Sequence, residues 1–207
     1  ENMARISDSL AGSKNALAFL DMLAWAEGTA ISKYTRDDGY DVVVGGIDSP
    51  NTFKSYGTHP GVLVTVNNKG LKSTAAGRYQ QLQRYWPHYR DLLKLPDFGP
   101  TSQDKLALHL IKERGALADV HAGRIQSAIT KCRNIWASLP GAGYGQHERK
   151  LDDLLAHPVE VGAELDEHLG GDALALADEA EEDVLGADVV VAELERFTKG
   201  EFEDRLR

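Results

Sequence analysis

Apolar residues recur at helical spacing through Ala16, Phe19, Leu20, Leu23 and Ala24, with Ser13 ahead of them and Glu27-Gly28 behind. Serine can accept a free N–H of a first helical turn, and glycine readily takes the left-handed conformation that closes a last one. The spacing therefore predicts a helix over about 15–27. The period then changes. Tyr40-Asp41-Val42-Val43-Val44-Gly45-Gly46 is a β-branched run halted by two glycines, which predicts a strand entering a hairpin turn. Residues 62–66, closed by Asn67-Asn68, predict a second strand, and 52–56 is expected to pair between them. Helical spacing returns over 75–86, where Pro87 is expected to stop it. Further helices are expected from a cap at Thr101 or Ser102 through 112, around Leu117, and over 125–132, 134–139 and 148–156. Strands confined to one segment among helices predict the α+β class, mainly helical with a small antiparallel sheet.

Charge divides the chain. Residues 1–156 hold 19 Lys and Arg against 16 Asp and Glu, whereas residues 157–207 hold 4 against 16. The second stretch is rich in Ala and Leu and carries the run Asp178-Glu179-Ala180-Glu181-Glu182-Asp183. It reads as an acidic, helix-prone appendage, solvated by default, attached to a domain over 1–156. The 207 residues at 42% hydrophobic content suffice for one sizeable core. Glu1-Asn2 before Met3 reads as a non-native extension.

Composition also narrows the chemistry. A lone cysteine, Cys132, excludes an intrachain disulfide and a Cys-based zinc site, and reads as a small buried hydrophobe suited to a reducing cytoplasm. The seven histidines show no i, i+4 pair and no His-Glu-x-x-His pattern, so no metal and no cofactor are expected. No stretch has the length of a membrane-spanning helix, and the first 30 residues lack the basic and apolar segments of a secretory signal. Stable membrane insertion is therefore not expected. Trp25, Trp86 and Trp136 read as core residues.

The first helix ends on the candidate of most interest. Glu27 follows Phe19, Leu20, Leu23 and Trp25 on an apolar helix, and a carboxyl group packed there loses water. Lost water penalises the ionised form and raises the pKa toward that of a general acid.

Four segments carry a family resemblance. Residues 18–29 (Ala-Phe-Leu-Asp-Met-Leu-Ala-Trp-Ala-Glu-Gly-Thr), 39–46 (Gly-Tyr-Asp-Val-Val-Val-Gly-Gly), 71–80 (Leu-Lys-Ser-Thr-Ala-Ala-Gly-Arg-Tyr-Gln) and 134–146 (Asn-Ile-Trp-Ala-Ser-Leu-Pro-Gly-Ala-Gly-Tyr-Gly-Gln) resemble the bacteriophage lambda endolysin family, ungapped and in the same order. The resemblance spans about 16–156 and stops short of the acidic tail. It implies a lysozyme-like fold with a cleft between a helical lobe and a β-sheet lobe. It implies that Glu27 is the catalytic glutamate of a lytic transglycosylase, cleaving the β-1,4 bond between N-acetylmuramic acid and N-acetylglucosamine to leave 1,6-anhydromuramic acid. The partners it implies are peptidoglycan glycan strands, not nucleic acid. It suggests a phage lysis protein held in the host cytoplasm until a holin opens the way to the periplasm and wall.

Two rival readings stay open. A true lysozyme hydrolase would need a second carboxylate. Asp37 and Asp38 read as solvated loop charges, which leaves Asp41 as the rival, otherwise expected to orient the β lobe or a sugar hydroxyl. A catalytically silent wall-binding module is the other. Gly77-Arg78-Tyr79-Gln80 resembles the Gln-ending segment opposite the catalytic glutamate in lysozyme-like transglycosylases, so Gln80 is expected to bond an N-acetyl group or help place the reacting sugar, with Tyr79 either ligand or core. Tyr144, in the glycine-rich loop 141–145, is the foremost aromatic contact or else a cover for the last helix; Tyr56 is the weaker candidate. Arg78, Arg84, Arg90, Lys112, Arg114 and Arg124 either face an anionic wall or form a solvated helical surface.

Overall fold

The computed structural model describes residues 4–143 and 148–156. Its helices are α1 (Asp8–Ala11), α2 (Lys14–Ala26), α3 (Trp86–Leu93), α4 (Pro100–Glu113), α5 (Leu117–His121), α6 (Ile125–Cys132) and α7 (Leu151–Ala156). Between α2 and α3 lies an antiparallel hairpin of β1 (Val64–Thr65) and β2 (Lys72–Ser73), with Val64 opposite Ser73 and Thr65 opposite Lys72. Among the described residues the α+β expectation holds.

Helix α2 is the axis of the molecule. Ser13 caps it by accepting from the Ala16 N–H at 3.2 Å. Its Phe19, Leu20, Met22 and Leu23 are buried in a core shared with Leu106 and Ile111 of α4, Val120 of α5, Ile129 of α6 and Trp136. Burial of each large side chain stabilises by about 1.5–3 kcal/mol. A smaller cluster of Val43, Val44, Val64, Val66, Ala75 and Leu82 lies under the hairpin, and Phe53 and Tyr85 touch both clusters. Asn67 shapes the hairpin turn, its Oδ1 accepting from the N–H groups of Lys69 and Leu71.

Several expected elements take other forms. The valine run at 42–44 bridges separate partners instead of one strand: the Val43 N–H donates to Asn51 O and the Val44 N–H to Ala75 O. Residues 62–66 find their partner in Lys72–Ser73 rather than in 52–56. The chain crosses against β1 at Gly46, where a Cβ would stand 2.5 Å from Val64 Cγ1, so the approach requires glycine. Of the 52–56 segment, Thr52 pairs with Val42.

Residues 75–82 are not helical. Gly77 and Gln80 have φ of +82° and +51°, outside the helical region, and Ala76 bridges Gln81 across the turn they make. A 3₁₀ turn at Gln83–Tyr85 leads into α-helix only at Trp86, with Pro87 in its first turn, so the proline starts an α-helix rather than ending one. Its missing N–H costs nothing there. The same logic puts Pro100 at the start of α4 behind Gly99, ahead of the expected Thr101 or Ser102 cap. Residues 134–139 form turns, while 125–132 is helical as expected and the 148–156 helix begins at Leu151. The expectations for 157–207 lie outside the described residues.

Candidate active site

Glu27 is the residue at which α2 ends. Its N–H donates to Leu23 O, and Gly28 turns the chain away with φ of +71°. The side chain is only 6% exposed. Oε1 accepts a 2.5 Å hydrogen bond from the Ser138 hydroxyl, whereas Oε2 is buried with no partner among the described residues. Desolvation raises the carboxyl pKa from an ordinary 4.5 to about 7, against the pull of the Ser138 hydrogen bond and the Arg149 charge. The group therefore titrates far nearer neutrality than an ordinary carboxyl and can both give and take a proton, as acid–base chemistry requires.

The elements around Glu27 are tied to one another by polar contacts. Thr29, just past the turn, donates from Oγ1 to Ala24 O at 3.1 Å and Arg78 O at 2.6 Å, joining the end of α2 to the 77–80 turn. Gly39 packs onto Thr29 so closely that a Cβ would stand 2.8 Å from its carbonyl carbon. The 77–80 turn is held from the other side by α4, where Gln103 Oε1 accepts from the Arg78 N–H at 2.8 Å while its amide donates to Tyr40 O and Phe98 O.

Arg78 is neither a wall-facing cation nor a solvated one. It is 0% exposed, donates to Asp21 Oδ1 at 2.6 Å and to Asp38 O, and stacks 5.1 Å from the centre of the Tyr40 ring. Burial pushes Asp21 up to about 6 even beside Arg78, so the pair is ionised at neutrality. Asp104 of α4 is the second buried anchor. Its Oδ1 accepts from the hydroxyls of Tyr40 and Tyr79 at 2.8 and 2.7 Å, and its Oδ2 from the N–H groups of Arg5 and Ile6 at 2.8 Å. Burial raises its pKa despite these donors. Tyr79 is thus a core residue.

Asp41 is buried, and both its oxygens are engaged locally: Oδ1 accepts from Thr35 Oγ1 at 2.6 Å and Oδ2 from the Arg36 N–H at 3.1 Å. Asp37 and Asp38 are not free loop charges, since Arg5 bridges them at 3.1 and 2.6 Å. Tyr56 is half-buried and donates to Asp37 Oδ2 at 2.6 Å. Gln80 is buried, its amide donating to Gly77 O at 3.0 Å. Tyr144 lies outside the described residues. Trp86 and Trp136 are core residues, and Trp25, half-buried, carries the Arg149 guanidinium 4.5 Å from its ring centre. Cys132 is buried and its thiol is pushed up to about 12, which leaves it unreactive.

Four contributors escaped sequence reasoning: Asp21, Asp104, Ser138 and Arg149. Asp104 left a trace, because Gln103-Asp104 interrupts the inward face of an otherwise apolar helix. The other three act through partners distant in sequence and leave no local signal.

The Endolysin family profile matches residues 17–165. The endolysin of Escherichia phage P2 is 58% identical over 147 residues, covering 69% of this chain and 89% of its own length. That of Escherichia phage lambda is 58% identical over 146 residues, with 70% and 89% covered. Among solved structures, bacteriophage lambda lysozyme complexed with a chitohexasaccharide superposes with a TM-score of 0.64 at 55% identity, covering 74% of this chain and 94% of the other. A second structure of lambda lysozyme gives 0.61 at 53% identity over the same shares. The fold is lysozyme-like.

Proposed function

The chain belongs to the Endolysin family of peptidoglycan-degrading phage lysozymes, and from that premise we propose that it is a lytic transglycosylase with Glu27 as its acid and base. The substrate is the glycan strand of peptidoglycan, cut at the β-1,4 bond between N-acetylmuramic acid and N-acetylglucosamine. The observation that carries this reading is the divided carboxyl of Glu27, one oxygen held by Ser138 and the other buried and unpartnered, with a pKa near 7.

The protonated group donates to the glycosidic oxygen, and the bond to the anomeric carbon breaks with its electrons leaving on that oxygen. The C6 hydroxyl of the same muramic residue then attacks the anomeric carbon and gives its proton to the Glu27 carboxylate, which is thereby restored. The product is a 1,6-anhydro ring. An intramolecular nucleophile has a very high effective concentration, so no second carboxylate is needed to activate water. Asp41 is occupied by Thr35 and Arg36, and Asp37 and Asp38 by Arg5 and Tyr56, which weighs against a hydrolytic partner for Glu27.

The complex of lambda lysozyme with a chitohexasaccharide supports glycan binding by this chain, with Asp41, Tyr56, Gln80 and Tyr144 as the residues we assign to it. No helix among the described residues is long and apolar enough to cross a membrane. We assign the protein to the host cytoplasm until a holin opens a path to the periplasm and wall. Mass spectrometry of muropeptides after digestion tests the chemistry. Products ending in 1,6-anhydromuramic acid are expected; reducing-end muramic acid as the main product would instead make the protein a hydrolase, with Asp41 as its second carboxylate.

A further inference from the structure

Arg149 comes to the end of α2 from the segment before α7. Its backbone N–H donates to Ser138 O at 2.9 Å, so it fixes the residue whose hydroxyl holds Glu27. Its guanidinium lies over the Trp25 ring, with Nε 3.5 Å from Ala26 O. Arg149 therefore touches the two residues before Glu27 and the residue bonded to it. The preceding residue anchors the same stretch: the Glu148 carboxylate accepts from the N–H groups of Gly141 and Gly143, each at 2.6 Å, closing the loop that follows Ser138.

We propose that Arg149 is a positioning residue for Glu27, its cation fixed against the end of α2 and its backbone fixing Ser138. The proposal rests on Glu27 being the general acid. The Ser138 hydroxyl from the 137–139 turn meets the carboxyl, and Arg149 from the segment before α7 lies against Trp25 and Ala26, the two residues of α2 that precede Glu27. Among the described residues Arg149 is the charged group acting on it. A fixed positive charge favours the carboxylate and so offsets part of the desolvation that burial imposes. Without it the acid would be too weak to release its proton readily and would recover it too well. An Arg stacked on an aromatic face is held by its planar fork in a way that a flexible ammonium is not.

The test is the pH dependence of muropeptide release from purified peptidoglycan, measured for the wild type, Arg149→Met and Arg149→Lys. A general acid works protonated, so activity falls as pH rises through the pKa of Glu27. Removing the cation raises that pKa, and the alkaline limb of Arg149→Met is expected to move up by about half a pH unit. Well above neutrality that variant keeps about threefold more of its own maximal rate than the wild type does. Arg149→Lys keeps the charge and is expected to keep the limb. A purely structural role would lower the rate at every pH and leave the limb in place, which would overturn the proposal. If Arg149→Met fails to fold, Arg149→Gln, which also removes the charge, decides: a limb moved upward supports the assignment, and a limb held at the wild-type pH overturns it. Glu27→Gln separates the two levels. A Glu27→Gln variant as active as wild type sinks the general-acid reading itself; an inactive one beside an unmoved Arg149→Met limb sinks only the role of Arg149.

Discussion

The Ser138 hydroxyl donates to Glu27 Oε1 at 2.5 Å across 111 positions of sequence, and it reaches one oxygen of the carboxyl alone. The bond orients the group so that Oε2 is the oxygen left to carry a proton. It also supports the ionised form, and after desolvation it is the largest influence on the pKa of Glu27, ahead of Arg149. Glycine at 28 and threonine at 29 complete the arrangement by turning the chain and fastening it to Arg78 O.

Ser138→Ala is therefore expected to move the alkaline limb of activity upward, and further than Arg149→Met does. Loss of a hydrogen bond to a charged group costs about 1.5–3 kcal/mol for the ionised form. Rate measurements between pH 5 and 9 check this; a limb at the wild-type position would show that Ser138 does not act on the reacting carboxyl.

Glu27→Gln is expected to lower glycan cleavage by about 10²- to 10⁴-fold while the fold persists, since it removes general acid–base catalysis. Its stability should also change with pH in a definite direction. The folded pKa near 7 exceeds the ordinary 4.5, so the wild type is favoured below pH 4.5 and loses that stability as pH rises toward 7. Glutamine does not titrate. Relative to the wild type, the variant should gain about 3 kcal/mol between pH 4 and 8, read from denaturant or thermal unfolding at the two values. A constant difference would mean that Glu27 is not held in a water-poor environment.

Gly77→Ala is expected to destabilise strongly. Its φ of +82° disfavours any side chain, and a Cβ would stand 2.3 Å from Gln103 Oε1. Gln103 cannot yield cheaply because it is fully buried and bonded to Arg78, Tyr40 and Phe98. A loss of about 2 kcal/mol or more follows, with reduced activity because the turn is joined to the end of α2. Unfolding curves indistinguishable from wild type would contradict the close packing of this turn on α4.

Asp104→Asn is expected to cost about 3 kcal/mol or more, because an amide nitrogen must replace one oxygen that accepts from two donors. Urea unfolding measures it, and a loss below about 1 kcal/mol would mean that water replaces the missing acceptor.

What could be read from the sequence was governed by how local the cause was. The Ser13 cap, the apolar face of α2 and the 125–132 helix follow from spacing alone. The apolar surroundings of Glu27 are local too, within about two turns, whereas its candidacy as the acid came from the family resemblance. The 75–82 segment misleads because its apolar spacing is set by two tertiary surfaces, not one helical face, and Gly77 and Gln80 take positive φ to serve them. The valines at 42–44 look like one strand because burial on both sides demands β-branched residues whether or not a continuous ladder forms. Arg78 looks like a surface cation because its partner, Asp21, stands 57 positions away. Asp37, Asp38 and Ser138 were similarly opaque, their partners being Arg5 and Glu27.

The separation of Glu27 from the groups that perturb it has a consequence for the life of the molecule. During synthesis the glutamate emerges from the ribosome early, and Ser138 and Arg149 emerge more than a hundred residues later. Until they have joined it, Glu27 is an ordinary solvated carboxylate, fully ionised at neutral pH and useless as a proton donor. A nascent or prematurely ended chain thus carries the residue without its chemistry, and a lytic activity comes into existence only as the folded domain is completed.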